Sequence, residues 1–446
     1  MISTRALDSG DLSVAWVHFL GDLRDWIASC LEEFGEAPPT DGHDQGTFTA
    51  AWEPLIEAQE AGGTGALEFM TDLRDKVAKH FTECGRWKHG YWTIADVHHG
   101  TEHFELFLGC LHRLRPDDGE TVGQLIDAAE HVGNWVEGIP AWFDWDTGLF
   151  RGLHLGTQEI RPAEGAEFNL PDHFRCINIS LLAWQATGEG RYLELARAHG
   201  GRWADAVLAR DDLPVAIDAK GPRYRLAEKA EGAYRAFVGQ VGRLQPEVDR
   251  AENFLASGAV NALLALWQAT EEVRYRQAAE RLLDVLAGQL SDPDAGAVAD
   301  ALRTYRRRTG DTRFDQKVLG AMQSLEPFSF RELSIEPTVQ RQGRPSGIGK
   351  RADMPAWYED GRARRHNPIL LATAAEITDD EVLATRAMDL GRAYFRLARR
   401  AYPHGREHGC SARSVSAIAR GHGRDNNAGV VTAVLGPLQE AFERSI

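Results

Sequence analysis

Cysteine is scarce in this 446-residue chain. There are five, Cys30, Cys84, Cys110, Cys176 and Cys410, an odd number at wide spacing with no CxxC pair. That excludes a disulfide framework and a thiolate zinc site, and leaves reduced thiols in a core. Positive charge is also short. Fifty Lys and Arg stand against 66 Asp and Glu, for a formal charge of −16. A chain of that sign lacks the footprint of a nucleic-acid binder or of a protein held on an anionic membrane. An anionic small substrate is still open, because arginine clusters locally at Arg362, Arg364 and Arg365. No window holds the roughly 18 uninterrupted apolar residues of a membrane span. Met1 to Asp11 carry acids and no apolar run of the secretory kind. The expectation is a soluble cytoplasmic protein with no nucleic-acid and no membrane partner. Nothing in the pattern sets an oligomeric state. The P-loop, the GxGxxG turn, the GxSxG elbow and HExxH are all missing, so no cofactor is expected. The DxDD signature of a terpene cyclase is missing too, and Asp144-Trp145-Asp146-Thr147 only echoes it.

What the chain does have is a repeat. Asn178 to Thr187 reads N-I-S-L-L-A-W-Q-A-T, and Asn261 to Thr270 reads N-A-L-L-A-L-W-Q-A-T. Each is followed by a polar break and an aromatic helix start, Arg191-Tyr192 and Arg274-Tyr275. A degenerate copy ends at Thr309-Gly310-Asp311-Thr312-Arg313-Phe314, and a fainter one at Thr378-Asp379-Asp380. A unit of apolar helix, turn and amphipathic helix must stack on its copies to bury its faces.

Helical periodicity dominates the rest. Leu12 to Glu33 and Leu67 to Phe81 read as helices. Six largely apolar inner helices are predicted to begin near Ile94, Asp172, Phe254, Ala295, His366 and Asp425. Outer helices are predicted from Thr121, Arg191, Val273, Thr312 and Glu381, and the N-terminal helix supplies the sixth. The fold predicted is all-α, an (α/α)6 toroid with long irregular loops over its mouth. It is one domain over 1–446, with 1–90 packing on and closing the ring and 94–444 forming the hairpins. Ile139 to Phe168, Leu213 to Tyr224 and Phe328 to Arg365 break the pattern, the first as a loop or short β-hairpin.

In such a ring the inner helices run parallel, and their N-termini, with free N–H groups and partial positive charge, open on one face. Polar residues gather there. The first inner helix has Tyr91, Trp92, Asp96, His98, His99, Glu102 and His103, and the second has Asp172, His173, Arg175 and Asn178. The fifth has Trp357, Tyr358, Arg365 and His366, and the sixth has His404, Arg424, Asn426 and Asn427. Capping accounts for Asp and Asn at helix starts, but not for His, Trp, Tyr and Arg. His99 and His103, four apart, could begin a metal site, but no third ligand is in sequence and no metal is expected. The expected catalytic residues are His98, His99, His103, His173 and Tyr358. The expected substrate contacts are Tyr91, Trp92, Trp145, Arg175, Asn178, Trp357, Arg365, His404, Arg424, Asn426 and Asn427. Asp144 and Asp146 supply a carboxylate pair or cap their own loop.

The paired helices joined by a Thr-Gly-Glu/Asp turn and an Arg-Tyr or Arg-Phe start resemble the six-hairpin glycosidase-like toroids, over about residues 94 to 444. That group includes hydrolases of unsaturated uronides, epimerases and toroid polysaccharide lyases. The resemblance implies an inner-face cleft that handles carbohydrate as a small-molecule or oligosaccharide substrate. A lyase on a uronate needs a group to neutralise the carboxylate, a base for the C5 proton and an acid for the leaving oxygen. A hydrolase needs two carboxyl groups flanking the bond. The predicted mouth is richer in His, Asn, Arg and Tyr than in acids, which favours a lyase acting by β-elimination. A hydrolase of uronides on the same fold, a cyclase or isomerase of a hydrophobic substrate, and a non-catalytic helical scaffold are the alternatives.

Overall fold

Four helices end in the same way. Thr187, Thr270, Thr309 and Thr378 each donate their hydroxyl to the carbonyl four residues earlier, at 2.7–2.8 Å. The residue after each threonine is left-handed, at Gly188 (φ 73°), Glu271 (59°), Gly310 (70°) and Asp379 (56°). That conformation ends a helix by turning its last N–H onto an orphan carbonyl. In the first three copies the threonine oxygen also accepts the amide of the acid that follows, Glu189, Glu272 or Asp311. The arginine beyond lies over the next ring, Arg191 on Tyr192, Arg274 on Tyr275 and Arg313 on Phe314, at 4.9–5.0 Å. The repeat seen in the sequence is therefore a repeat of local structure.

The computed structural model describes residues 2–4, 9–34, 65–162, 168–226, 248–290, 296–324, 333–335 and 368–401, with isolated positions between 46 and 56. These residues are mostly helical, and their strands are short pieces in two-stranded ladders. No described helix is long and apolar enough to cross a membrane. The chain divides into two compact units. One comprises Met1–Pro38, Phe48–Phe69 and Leu286–Ile446, and the other Pro39–Thr47 and Met70–Val285.

In the first unit the helix Leu12–Phe34 packs on Glu381–Ala401, with Phe19 and Trp26 against Phe395. Asp22 accepts from Arg392 at 2.5 Å. Gly296–Thr309 and Asp315–Ser324 pack on Pro368–Thr378, where Arg307 grips Glu376 with two bonds of 2.9 Å. Ile2–Thr4 pairs antiparallel with Leu333–Ile335, a ladder the sequence reading had not predicted.

The second unit holds three successive hairpins. Residues 97–114 precede Gly119–Val132, Phe174–Thr187 precedes Gly190–Leu208, and Ala259–Thr270 precedes Val273–Ala287. Phe174–Thr187 packs on Gly119–Val132, Gly190–Leu208 and Ala259–Thr270. Glycine permits two further close approaches, of 97–114 on Phe174–Thr187 and of Gly190–Leu208 on Ala259–Thr270, since a Cβ on Gly109 would meet Leu182 at 3.0 Å and one on Gly200 would meet Leu266 at 2.5 Å. The helix expected from Ile94 starts instead at Val97, because Ala95–Asp96 pairs with His154–Leu155. It is also not uniform, since His103–Leu108 forms a π-helical turn. The helix expected from Phe254 is split into Val248–Ala256 and Ala259–Thr270 at Gly258, which is left-handed at φ 73°. The two irregular inserts carry the hairpins Phe143–Asp144 with Leu149–Phe150, and Ala216–Asp218 with Gly221–Arg223. Trp184 and Trp267 are half-buried near their helix ends, and Arg276 covers Trp267. The span expected to form a sixth inner helix and nearly all of 328–365 lie outside the described residues.

Candidate functional site

Asp96 sets the site. It is extended (φ −66°, ψ 154°) and caps the helix Val97–Glu102, its Oδ1 accepting the amides of His98 at 3.1 Å and His99 at 2.9 Å. The same carboxylate takes the His99 ring, with Nδ1 at 2.8 Å from Oδ2 and 3.0 Å from Oδ1. Burial alone would raise the Asp96 carboxyl. The His99 hydrogen bond and charge, the His99 amide and the His98 charge outweigh it and hold the carboxyl well below the usual range. The His99 side chain is 36% exposed.

His98 makes the same kind of pair with a different element. Its Nδ1 lies 3.0 Å from Oδ1 of Asp172, in the short 3-10 turn Pro171–His173 that leads into Phe174–Thr187. Its Nε2 faces Glu102 at 3.4 Å, and its ring centroid is 5.0 Å from that of His99. Burial pushes the Asp172 carboxyl up, but the His98 hydrogen bond and charge and the Arg175 charge bring it down on balance. Two imidazoles therefore stand side by side at one helix start, each oriented through Nδ1 by a carboxylate.

Behind them lies a buried ionic network. Arg175 is fully buried. Its Nη1 donates to Glu105 Oε2 at 2.9 Å and its Nη2 to the Ala256 carbonyl at 3.2 Å, while Nε is 3.8 Å from Asp172. Asn178 Nδ2 donates to Glu105 Oε1 at 2.6 Å and to the Ser257 carbonyl at 3.3 Å. Burial raises the Glu105 carboxyl, and Arg175 and Asn178 pull it back only in part. The helix starts at 96–105, 172–178 and 256–258 are thus tied together. A Cβ at Gly258 would sit 2.5 Å from Asn178 Nδ2 and 3.1 Å from Glu105 Oε1, so the glycine and its helix break are part of the network.

The other predicted residues take different places. His173 is buried, with Nε2 at 3.1 Å from the Gly152 carbonyl and Nδ1 at 3.0 Å from the Leu170 amide. A carbonyl only accepts, so Nε2 carries the proton and Nδ1 accepts, and both ring nitrogens hold backbone. Burial depresses its pKa, which keeps it neutral. His103 is buried among Trp87, Phe104 and Phe107, with centroids at 5.1–5.4 Å, while His99 turns to Asp96. Tyr91 and Trp92 are buried, Tyr91 stacked on Phe104 and Trp92 packed on Phe81 and Trp87. Trp145 is 43% exposed at the tip of the Phe143–Phe150 hairpin, its Nε1 on the Gly133 carbonyl. Asp144 caps its own loop by accepting the Asp146 and Thr147 amides. Among the described residues no three His, Cys, Asp or Glu converge as a cation site. Trp357, Tyr358, Arg365, His404, Arg424, Asn426 and Asn427 lie outside the described residues.

Sequence reasoning did not assign Glu105, Ser257 or Gly258 a part in the site. The signal for Glu105 is an acid inside the apolar run Phe104-Glu105-Leu106-Phe107-Leu108, where only a buried partner makes it tolerable. Comparison of the chain with family profiles, with curated proteins and with solved structures gives no match.

Proposed function

We propose that the protein is a carbohydrate-active enzyme that cleaves uronate-containing oligo- or polysaccharides by β-elimination, from a cleft at the inner-helix starts of an (α/α)6 toroid. The observation that carries this reading is the pair of carboxylate-oriented imidazoles, His99 on Asp96 and His98 on Asp172. A carboxylate on Nδ1 fixes the ring and its tautomer and stabilises the imidazolium that forms when the ring takes a proton. The toroid is supported by three successive hairpins whose inner helices start at one network.

His99, the more exposed ring, is the base in this reading. It takes the C5 proton, the electrons of that C–H bond form the C4–C5 double bond, and the C4–O bond breaks toward the leaving oxygen. Tyr358 remains the proposed acid for that oxygen. Arg175 and Asn178 are engaged by Glu105 and serve as scaffold, so the substrate carboxylate needs another partner. His173 and His103 hold the walls.

The test is a screen of glycuronans and their oligomers for the ultraviolet absorbance of an unsaturated uronate. Cleavage with that absorbance is expected. New reducing ends without it would replace the lyase by a hydrolase, and no cleavage of any glycuronan would overturn the reading. On the substrate found, H99A is expected to lose about 10²-fold or more in turnover while keeping its circular dichroism, the usual contribution of a general base.

A further inference from the structure

A cleft opens along the Phe143–Phe150 hairpin. The hairpin Phe143–Asp144 with Leu149–Phe150 and the segment at Phe168 and Asn169 enclose 310 Å3. Small-molecule sites run from about 300 to 1,000 Å3, so the space suits a ligand of one or two rings. Phe150 and Phe168, both buried, give it an apolar side. Asn169 fixes the wall, its amide group bonded twice to the Phe150 backbone at 2.7 Å.

Two polar groups of the cleft are not committed in that way. Asp144 gives Oδ1 to its own loop, while Oδ2 faces Arg151 at 3.9 Å. That is beyond hydrogen-bond reach, and the Arg151 side chain is 53% exposed. In a chain of charge −16, a loosely held guanidinium at the edge of a half-apolar cleft is a device for one anionic group. The position matters as much. Leu153 accepts the Val97 amide at 2.8 Å, and His154 pairs with Asp96. The segment that carries Arg151 therefore reaches the backbone of Asp96, whose carboxylate orients His99, three residues later, at most about 10 Å of extended chain.

We infer that this cleft is the subsite for a carboxylate-bearing sugar ring, with Arg151 holding the carboxylate and Asp144 accepting a ring hydroxyl. The inference rests on the uronate reading above and supplies the carboxylate partner that buried Arg175 does not. It is tested by binding, separately from turnover. D-glucuronate and D-galacturonate are titrated into the full chain by calorimetry, with D-glucose as the neutral control. The uronates are expected to bind at least tenfold more tightly than glucose. R151Q is expected to remove about tenfold or more of that affinity, the usual scale for a bond to a charged group, and R151K to restore part of it. D144N keeps the loop cap and is expected to weaken the uronates and glucose alike. Uronates that bind no better than glucose, or that bind R151Q as well as the parent, overturn the inference. Uronate binding through Arg151 without cleavage of any glycuronan leaves the subsite standing and sinks the lyase. Cleavage by R151Q at an unchanged KM does the reverse.

Discussion

Single residues show how burial decides what a titratable group can do. His199 is buried, donates through Nδ1 to the Gly148 carbonyl at 2.9 Å, and accepts Trp203 Nε1 on Nε2 at 3.0 Å. Desolvation, with the neighbouring His173, lowers its pKa to about 3. The unfolded chain then binds a proton near pH 6.5 that the folded chain refuses until about pH 3, so stability falls as pH drops through that window. The slope expected from one such histidine is on the order of 1 kcal/mol per pH unit. Urea unfolding at several pH values should show it, and H199Q should flatten the limb. An equal slope in H199Q would remove His199 as its source. Arg175 is the complementary case. R175M leaves Glu105 buried without its cation and is expected to cost about 3–5 kcal/mol, whereas E105L/R175M should recover part of that loss. A double variant as unstable as the sum of the singles would deny the pair. His98 and His99 were legible because two histidines at a helix start are unusual. Glu105 was not, because its partners lie 70 and 73 residues away in sequence.

At the scale of the element, local chemistry explains what could be read. The Thr-Gly-Glu turn is written in adjacent residues, so its four copies were visible before any tertiary contact was known. Two copies carry a side chain where the backbone is left-handed, Glu271 at φ 59° and Asp379 at 56°. E271G and D379G are expected to raise stability by about 0.5–1 kcal/mol each, relief of the left-handed cost less the glycine's entropy. A fall in the urea midpoint for both would refute this. The break at Gly258 was missed for the opposite reason. Its cause is the space taken by Asn178 and Glu105, which no local pattern records.

At the scale of the whole molecule, composition and periodicity sufficed for the helical class and for which helices pair in sequence. The short ladders and the grouping into units depend on contacts between distant residues. Ile2–Thr4 against Leu333–Ile335 is an example, joining segments more than 300 residues apart. The unit around Met70–Val285 has its own buried core, including Phe104, Phe107, Leu181, Trp203 and Leu263. A fragment covering 65–290 is therefore expected to fold alone, with cooperative urea unfolding and dispersed amide resonances. A fragment without a cooperative transition would show that this core needs the rest of the chain.

The π turn at His103–Leu108 has one further consequence. A π turn is an α-helix with one residue too many, and it stays where the surroundings compel it. Beyond it, Gly109 is wedged against Leu182; before it, Asp96 and the two imidazoles are fixed by strand pairing and by Asp172. Deleting Leu106 would let the rod relax to a plain α-helix with its two ends in nearly the same phase, whereas deleting a residue outside the π turn rotates one end against the other by about 100°. Either the imidazoles or the glycine would then face the wrong way. The histidines are aimed by a count of residues as much as by contacts, and of the single deletions between 97 and 114 only one within the π turn keeps both ends aimed.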